Sequence, residues 1–585
     1  MPHKLSNIVI KNYRSCINTE LKLSGYTALV GYNNAGKSNA LSAIHWLLRK
    51  SSLSEKDFFD INSQVEVTGV IEGVNTNLLN SMNSSHKASI EKYVFNDTLK
   101  IKRIQSVPNA KAADIKISVW DEAVQTWAVN PNGIDNTLKS LLPAPIRIGA
   151  MENAAEDSAK SKSTTTIGKL LAEFLTPVRV AHEAELAGHL DEVSRRISSD
   201  GDMRFGELAV IDRTVNGKIN DLFPGMSLKL HFDTPSFDEL IKGGTIKVFE
   251  NSNEGREFSS YGHGAQRAIQ MALVQYLAEV KRNNGNQQTT TLLIIDEPEL
   301  YLHPFAIEQI RQALIGLSSN GYQVLLSTHS AQMITPEYAE RALLIRKNSQ
   351  RGTYARVRLE DAIQALVPNS SHQMEQLFNL SHSTQVLFSE NVILTEGKTE
   401  LRLLPFIFEN ISTKTLGQEK SALVAQSGVR DTRKSLDILE AMDLPAKAIV
   451  DLDYGLTGAV RDGFLQPDDP DVAAIKEIFQ DLSRQGRISL HSNGLPQKGV
   501  VKAAEAFEIM ANEPAATIHI ENLHNRLKQQ SIWIWKRGAI EAHIGTESKD
   551  ELAWAQFKRD VEERGMQTTA TDQQSLVDLV SWLRN

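Results

Sequence analysis

Two acidic stretches in the second half of the chain have residue types and spacing that suit a divalent cation. LTEGKTE carries Glu396 and Glu400 directly after an apolar run, and KAIVDLDYG ends another apolar run with Asp451 and Asp453. Carboxylate oxygens are the ligands that hard cations such as Mg²⁺ prefer. Either stretch alone could equally be solvated surface charge, so the rest of the chain has to decide.

A phosphate-binding pattern lies near the amino terminus. GYNNAGKS (31–38) fits G-x-x-x-x-G-K-S/T and lies between the strand-like TALV and a helical segment. Gly31 and Gly36 would let backbone N–H groups point at phosphate oxygens. Lys37 would place a charge near the terminal phosphates, and Ser38 would offer a hydroxyl to Mg²⁺. A glycine turn before a helix is the weaker alternative. The candidate nucleotide-binding residues here also include Asn33, Asn34 and Asn39, which precedes Ala40.

A second acidic strand end would complete an ATP site. In TLLIIDEPELYLHP (291–304), a buried strand would deliver Asp296 to hold the Mg²⁺ of the nucleotide, and Glu297 would orient or deprotonate the attacking water. The apolar run QVLLSTHS ends at His329, whose imidazole would contact the γ-phosphate. A lone histidine is usually structural, and only the whole set makes this one a candidate. The sequence therefore predicts an ATPase that uses ATP and Mg²⁺.

The elements that would position these residues fall into two α/β regions. Strand-like runs alternate with helical patterns at both ends of the chain, and residues 167–222 between them are mainly an amphipathic helical pattern. The polar tract EDSAKSKSTTT (156–166) is typical of a mobile loop, and LVPNSSHQ (366–373) of a linker. The predicted parts of the chain are residues 1–155, 156–235, 236–370 and 385–585.

The carboxyl-terminal carboxylates are expected to meet at one edge of a sheet. Glu396 and Asp451 each follow a strand-like run, and parallel strands gather their carboxyl ends at one edge. On an extended segment, Asp451 and Asp453 would share a face because alternate side chains point the same way. Glu400 would lie in the first turn of the next helix. Four unpaired carboxylates would repel one another, and a hard divalent cation removes that conflict.

The amino-terminal motifs together resemble those of ABC-type ATPases of the SMC, Rad50 and RecF group, in which the segment between the motifs is an insertion. SSYGHGAQRAIQ is similar to the signature of that group, so Ser260, Gly262 and Gly264 would meet a γ-phosphate. A glycine-rich turn that caps the following helix is the alternative. In that group the signature of one subunit completes the ATP site of another. The resemblance therefore implies a homodimer or a higher even homo-oligomer, with the helical insertion (156–235) as the dimerisation element.

The carboxyl-terminal order of strand, Glu-Gly, helix, then strand and Asp-x-Asp resembles a TOPRIM domain. In such domains the glutamate at the position of Glu396 binds metal or acts as acid or base, and the Asp-x-Asp binds Mg²⁺. The expected fold class is thus α/β, with an ABC-type ATPase domain (1–155 and 236–370) that carries a helical insertion and is followed by a TOPRIM domain (385–585).

This arrangement is similar, over essentially the whole chain, to the OLD (overcoming lysogenization defect) family of nucleases. The resemblance implies an ATP-regulated DNA endonuclease or nickase that depends on Mg²⁺ or Mn²⁺ and acts in anti-phage defence or DNA processing. Lys536 or Arg537 would offset charge on the scissile phosphate, and Glu541 would add a ligand. WKRGAIE also fits a structural strand-to-helix turn. The implied metal ligands and catalytic acids are Glu396, Glu400, Asp451 and Asp453.

Other functions stay open at this point. A DNA-binding ATPase of SMC or RecF type, with a structural TOPRIM domain and a role in repair or signalling, is the main alternative. The interleaved basic and aromatic residues of RLKQQSIWIWKR suit a DNA backbone contact, but an amphipathic strand would have the same pattern. A separately encoded helicase or defence protein is a further partner that the resemblance allows.

Composition sets broad limits on the class of protein. The chain has 585 residues, is 41% hydrophobic and carries a formal net charge of −8, which neither supports nor excludes a nucleic-acid partner. Cys16 is its one cysteine, which excludes a disulfide framework and a Cys-rich zinc site. No run approaches the length of a membrane span, and the amino terminus lacks an apolar signal region. A cytoplasmic protein without a membrane partner is expected.

Overall fold

The structure is a computed structural model. The residues it describes are 3–585 without 143–144, 150–165, 237–238, 240–245, 250–253, 284–289, 367–383, 427–431 and 547. The expected loop (156–166) and the expected linker (366–373) lie almost wholly outside these residues. Within the described ranges, no helix is both long enough and apolar enough to cross a membrane.

The strands of the described residues alternate with helices in both halves of the chain, as the sequence predicts. In chain order the strands are β1 (Lys4–Tyr13), β2 (Cys16–Lys22), β3 (Tyr26–Val30), β4 (Val65–Glu72), β5 (Thr98–Gln105), β6 (Lys116–Asp121), β7 (Thr126–Val129), β8 (Ile146–Ile148), β9 (Lys247–Val248), β10 (Arg256–Glu257), β11 (Thr291–Asp296), β12 (Tyr322–Thr328), β13 (Leu343–Asn348), β14 (Gly352–Ala355), β15 (Asn391–Thr395), β16 (Ser421–Ala425), β17 (Ala446–Val450), β18 (Ser489–Leu490), β19 (Pro496–Gln497) and β20 (Ile532–Ile534).

The α-helices of the described residues span Lys37–Leu48, Thr76–Ser81, Ser84–Ile90, Ile134–Leu141, Thr166–Ile197, Gly206–Leu222, His263–Asn283, Pro304–Ser318, Pro336–Ala339, Leu359–Leu366, Thr384–Phe388, Lys398–Ser412, Thr432–Ala441, Leu452–Leu456, Gly458–Arg461, Pro470–Arg484, Ala503–Ala511, Pro514–Gln529, Ile540–Ile544, Glu551–Arg564, Met566–Thr569 and Gln573–Arg584.

The chain divides into two compact units, and each of them is α/β. The first unit comprises residues 1–29, 36–333 and 348–353, and the second comprises residues 30–35, 334–347 and 354–585.

The first unit contains an antiparallel series of strands and a parallel series. The antiparallel series runs in the order β7-β6-β5-β4-β1-β2, and β4 alternates buried with half-exposed residues, as a strand with one solvated face does. In the other series, β11 pairs in parallel with both β12 and β8. Every residue of β11 and β12 is buried, which is typical of strands covered on both faces. The carboxyl ends of β11 and β12 therefore lie side by side.

The helical segment between the ATPase motifs is confirmed by two helices. The pieces IGKLLAEFL and ELAGHLDEVSRRI belong to one helix, Thr166–Ile197, and a second spans Gly206–Leu222. Several large apolar side chains on and just after the second helix are exposed in the single chain, which is the pattern of a surface that another protein covers. These side chains are Val210, Ile211, Leu222, Phe223 and Met226.

The second unit contains a four-stranded parallel sheet in the order β16-β15-β17-β20. Helix Lys398–Ser412 packs on it in a core that includes Trp533 and Trp535. These two side chains are 1% and 0% exposed. Neither indole ring is therefore open to nucleic acid. A DNA backbone contact by the basic residues of this stretch stays a prediction.

The cysteine is also fully enclosed. Cys16 begins β2, where it lies opposite Gly352 of β14, and its side chain is 0% exposed. Burial raises the pKa of its thiol to about 11. A thiol of this kind is chemically inert at neutral pH, because the thiolate is the reactive form.

Candidate nucleotide site and candidate metal site

The phosphate loop has the predicted strand–loop–helix context. β3 ends at Val30 and the next helix begins at Lys37, with Gly36 in the left-handed region at φ 100. A Cβ on Gly36 would overlap the hydroxyl of Thr353, and a Cβ on Gly31 would overlap the carbonyl oxygen of Ile345. Both positions therefore need glycine, for conformation in the first case and for close approach in the second.

The asparagines of the loop have different surroundings. Asn33 and Asn34 are exposed, and Asn34 has φ 66. Asn39, in the first turn of the helix, donates a hydrogen bond to the hydroxyl of Ser15 at 2.7 Å. Asn33 and Asn34 are thus accessible to a ligand, whereas the Asn39 side chain is held by its hydrogen bond to Ser15.

Asp296 lies where the sequence predicts it, at the end of β11 and beside the phosphate loop. Its Oδ1 accepts hydrogen bonds from the hydroxyls of Ser38 at 2.9 Å and Ser327 at 2.6 Å. A hydroxyl and a carboxylate at this distance from one another are the pair that holds Mg²⁺ in phosphate-loop ATPases. The residues present therefore fit a nucleotide-bound Mg²⁺.

His329 connects the loop lysine with Glu297. Its Nε2 lies 2.8 Å from the Lys37 ammonium and 3.2 Å from Glu297 Oε1. Burial, together with the charge of Lys37, lowers the pKa of this imidazole. A neutral imidazole here can share hydrogen bonds with a phosphate without adding a second full charge beside Lys37.

The signature residues lie at the start of helix His263–Asn283, so the expected helix is confirmed. Ser260 is exposed and donates a hydrogen bond to the carbonyl oxygen of Glu257 at 2.6 Å. Gly262 is exposed, with open space where a Cβ would stand, and Gly264 is half-buried.

In the second unit, Glu396 and Glu400 flank the start of a helix, as predicted. Glu396 follows β15, and its Oε2 accepts a hydrogen bond from the backbone N–H of Asp451 at 3.0 Å. Glu400 lies in the first turn of helix Lys398–Ser412, is 3% exposed and accepts a hydrogen bond from Trp535 Nε1 at 3.3 Å. The carboxyl ends of β15 and β17 thus meet at the Glu396 carboxylate.

The backbone expected for the Asp-x-Asp pair is wrong. β17 ends at Val450, Asp451 is the N-cap of helix Leu452–Leu456, and Asp453 lies in the first turn of that helix. The two aspartates are therefore not alternate residues of an extended segment. They stay at the same edge of the sheet because the helix begins directly at the strand end.

Glu541 is brought close to these residues by a strand-to-helix turn, the alternative that the sequence left open for WKRGAIE. β20 ends at Ile534, and helix Ile540–Ile544 carries Glu541 in its first turn. Glu541 is 5% exposed, and its Oε1 accepts a hydrogen bond from the Thr399 hydroxyl at 2.7 Å. The turn is thus structural and also positions a carboxylate.

The structure brings a lysine to the carboxylates that sequence reasoning missed. Lys549 Nζ lies 3.3 Å from Glu541 Oε2 and 3.8 Å from Asp451 Oδ2. The Lys536 ammonium lies 4.0 Å from Glu521, and Arg537 uses its backbone N–H to reach His543. Lys549 stands in the irregular segment before helix Glu551–Arg564, where no local pattern signals its role.

Burial and mutual repulsion make this carboxylate group a high-energy arrangement. Burial, with the neighbouring charges of Asp453 and Glu400, raises the pKa of Glu396 to about 7. Burial is also the main cause of the raised pKa values of Glu400, Asp451 and Asp453. A cation among these side chains would relieve the repulsion and restore their ionised forms.

The chemistry of the donor set fits a hard cation. Asp453 Oδ1 is a buried oxygen without a hydrogen-bond partner, and the buried Glu541 Oε2 faces only the Lys549 ammonium, 3.3 Å away. All five acids offer carboxylate oxygens. Among the described residues, no group of three or more His, Cys, Asp or Glu side chains is placed to hold a metal ion as it stands. The carboxylates therefore converge without forming a finished coordination sphere.

Comparisons with known proteins extend over both units. A family model described as an AAA domain of the AbiEii toxin, Type IV TA system, matches residues 26–334. A model of the overcoming lysogenization defect protein-like TOPRIM domain matches residues 387–453. The chain is similar to the Old nuclease of Escherichia phage P2, with 38% identity over 95% of this chain and 95% of that protein.

Two more distant relatives are Endonuclease GajA of Bacillus cereus (strain VD045), with 21% identity over 70% of this chain and 68% of that protein, and the OLD nuclease of Thermus scotoductus (strain ATCC 700910 / SA-01), with 24% identity over 77% and 82%. These matches confirm the predicted fold class and the predicted resemblance. Because the phage P2 relative is 38% identical over nearly the full length of both proteins, this chain belongs to the OLD (overcoming lysogenization defect) family, in which an ATPase domain is followed by a TOPRIM domain.

Proposed function

We propose that this chain is an ATP-regulated DNA endonuclease or nickase that hydrolyses phosphodiester bonds at the carboxylate site with Mg²⁺ or Mn²⁺. The observation that carries the proposal is the convergence of buried acids with raised pKa values at the carboxyl ends of β15 and β17. The names of the three relatives described above, nuclease or endonuclease, support the same reaction class. Anti-phage defence or DNA processing is the proposed setting.

The carboxylates would act as metal ligands, and Glu396 would also act as the proton acceptor. Glu396, Glu400, Asp451 and Asp453 would hold one or two cations, and Glu541 would add a ligand. A bound divalent cation supplies Lewis-acid polarisation of the phosphate and lowers the pKa of an attacking water. Glu396, which a bound cation would keep ionised, would accept the proton of that water.

A cationic side chain near these acids would offset charge that develops on the phosphate. The distances favour Lys549 for this role, although Lys536 and Arg537 remain the residues that the family resemblance suggests. An ammonium in a partly desolvated site stabilises a developing oxyanion more strongly than it would in water.

ATP with Mg²⁺ is assigned to the phosphate loop. Lys37 and His329 would contact the γ-phosphate, Ser38 and Asp296 would hold the cation, and Glu297 would orient the water. The contacts of Asp296 and His329 support these roles. Hydrolysis would gate access or assembly, because phosphodiester cleavage is itself downhill.

A homodimer or a higher even homo-oligomer is the proposed assembly. The exposure of Ser260 and Gly262 supports a contact with the nucleotide of another subunit. The exposed apolar side chains that follow Gly206 support the helical insertion, residues 156–235, as the dimerisation element. DNA is the proposed substrate partner.

Plasmid nicking tests the proposed function. The wild-type protein should nick or linearise plasmid DNA with Mg²⁺ or Mn²⁺, and Glu396→Ala should abolish nicking while ATP hydrolysis continues. Glu409→Ala is the matched control, because Glu409 is an exposed glutamate on the same helix as Glu400. Full nicking by Glu396→Ala, or none by the wild type with any divalent cation, would contradict the assignment.

Lys37→Ala provides the complementary measurement. It should lose ATP hydrolysis, because the loop lysine is the charge that meets the terminal phosphates. Its effect on nicking, measured with and without ATP, then gives the strength of regulation between the two activities.

A further inference from the structure

A buried arginine contacts the backbone of both acids of the ATP site. Arg267 lies in the first turns of helix His263–Asn283 and is 4% exposed. Its Nη2 donates hydrogen bonds to the carbonyl oxygens of Asp296 at 2.5 Å and Glu297 at 2.7 Å, and its Nη1 donates to that of Gly149 at 3.0 Å. One guanidinium thus joins three segments that are distant in sequence.

The Glu297 backbone needs such support. Glu297 has φ 48, in the left-handed region that a residue with a side chain seldom adopts. Its N–H donates to the carbonyl oxygen of Ser327 at 3.1 Å and to the Ser327 hydroxyl at 3.2 Å. Its carbonyl oxygen accepts from Arg267 at 2.7 Å and from the backbone N–H of Leu300 at 3.1 Å. Strained backbone persists at functional sites where the surroundings over-determine it, and here both sides of the residue are fixed.

Burial of the guanidinium is costly. Desolvation lowers the pKa of Arg267 to about 10, although Glu299, Asp296 and Glu297 lie near enough to favour its charged form. Its Nε is buried without a hydrogen-bond partner. A buried cation that is incompletely paired contributes little net stability, so its contacts with the acidic turn point to a role in the reaction.

We propose that Arg267 is a positioning residue for ATP hydrolysis, which fixes the backbone of Glu297 and so aims the carboxylate that orients the attacking water. The inference rests on the proposed ATP site. Arg267 follows Gly264 by less than one turn of the same helix. The orientation of the Glu297 carboxylate therefore also depends on the position of the signature segment. A one-ångström misplacement of a catalytic group can lower a rate about 100-fold.

The test compares turnover with nucleotide affinity in Arg267→Lys. Lysine keeps the positive charge but lacks the planar fork that reaches several carbonyls at once. We expect kcat for ATP hydrolysis to fall on the order of 10–100-fold, while the Kd for ATP stays within about twofold of wild type, a difference of less than 0.5 kcal/mol. Arg311→Lys is the matched control, because Arg311 also donates to a backbone carbonyl, that of Gln332.

A double variant separates positioning from general structural support. If Arg267 acts through Glu297, adding Arg267→Lys to Glu297→Gln causes no further loss of turnover, because the two residues act as one unit. Multiplicative losses would overturn the proposal. So would wild-type turnover in Arg267→Lys, or a loss of ATP affinity that accounts for the whole effect. Absence of hydrolysis in the wild type would overturn the ATP site itself.

Discussion

The two acidic sites of this chain are built in opposite ways. At the ATP site, Asp296 accepts two hydroxyl hydrogen bonds and Glu297 lies beside His329, which in turn contacts Lys37. At the carboxylate site, acids face other acids in a buried place, and burial raises the pKa of Glu396 to about 7. The first set of acids is held by partners from its own unit, whereas the second lacks enough positive charge.

The difference separates two uses of carboxylates. An acid that its own neighbours hold is positioned before any ligand arrives, which suits the orientation of a water molecule. Acids that repel one another have much to gain from a cation, which suits tight metal binding. The contrast can therefore be tested by changing the charge balance of the second site.

The largest expected effect comes from Lys549, the one cation found within 4 Å of the carboxylates in the described part of the chain. Lys549→Met should lower plasmid nicking on the order of 100-fold, because a charge that meets the developing oxyanion is lost. Lys536→Met is the control, since the Lys536 ammonium lies beside Glu521. Equal losses in both variants would instead assign the offset of charge on the scissile phosphate to residues 536–537.

A smaller effect concerns stability and pH. The pKa of Glu396 is about 7 in the folded chain against 4.5 as the ordinary value, so the folded state binds more protons between these two values. The stability that this group contributes is complete below its unfolded pKa and is lost as pH rises through about 7. In metal-free protein, Glu396→Gln should therefore be more stable than wild type by up to about 3 kcal/mol at about pH 8 and by little at about pH 4.5.

Thermal unfolding with and without Mg²⁺ measures this pH dependence of stability. Mg²⁺ should raise the Tm of the wild type more at high pH than at low pH, because protons compete with the cation for the carboxylates. The Glu396→Gln variant should lose most of that rise. A Tm advantage of the variant that does not change with pH would show that Glu396 is not protonated near neutrality.

The smallest effect concerns the groups that orient the ligands. Trp535→Phe removes the N–H that reaches Glu400 and should weaken Mg²⁺ binding about tenfold, as the loss of an orienting hydrogen bond does in other metal sites. Trp533→Phe is a closely matched control, because Trp533 is as deeply buried and its Nε1 has no hydrogen-bond partner. Calorimetric titration with Mg²⁺ distinguishes the two, and equal affinities would show that Glu400 needs no such support.

Local patterns predicted much of this structure. The phosphate loop, Asp296 and His329 each follow an apolar strand, so the sequence could place them at the ends of strands. Glu396 and Glu400 were predictable for the same reason, since a helix begins between them at Lys398.

The features that the sequence did not predict depend on tertiary packing. An Asp-x-Asp pattern does not reveal that β17 stops before Asp451 and a helix begins. Alternating Trp residues do not reveal that both faces of β20 are covered. Lys549 and Arg267 reach their acids across many residues of chain, so neither contact has a local signal.

Because Cys16 is enclosed, the native chain should not react with thiol reagents. With its side chain 0% exposed and the pKa of its thiol raised to about 11, it forms almost no thiolate at neutral pH. A cysteine placed at an open position such as Gly262 would then react alone with a fluorophore or a crosslinker. The proposed subunit contact at the signature segment can thus be tested in protein that keeps every native residue but one.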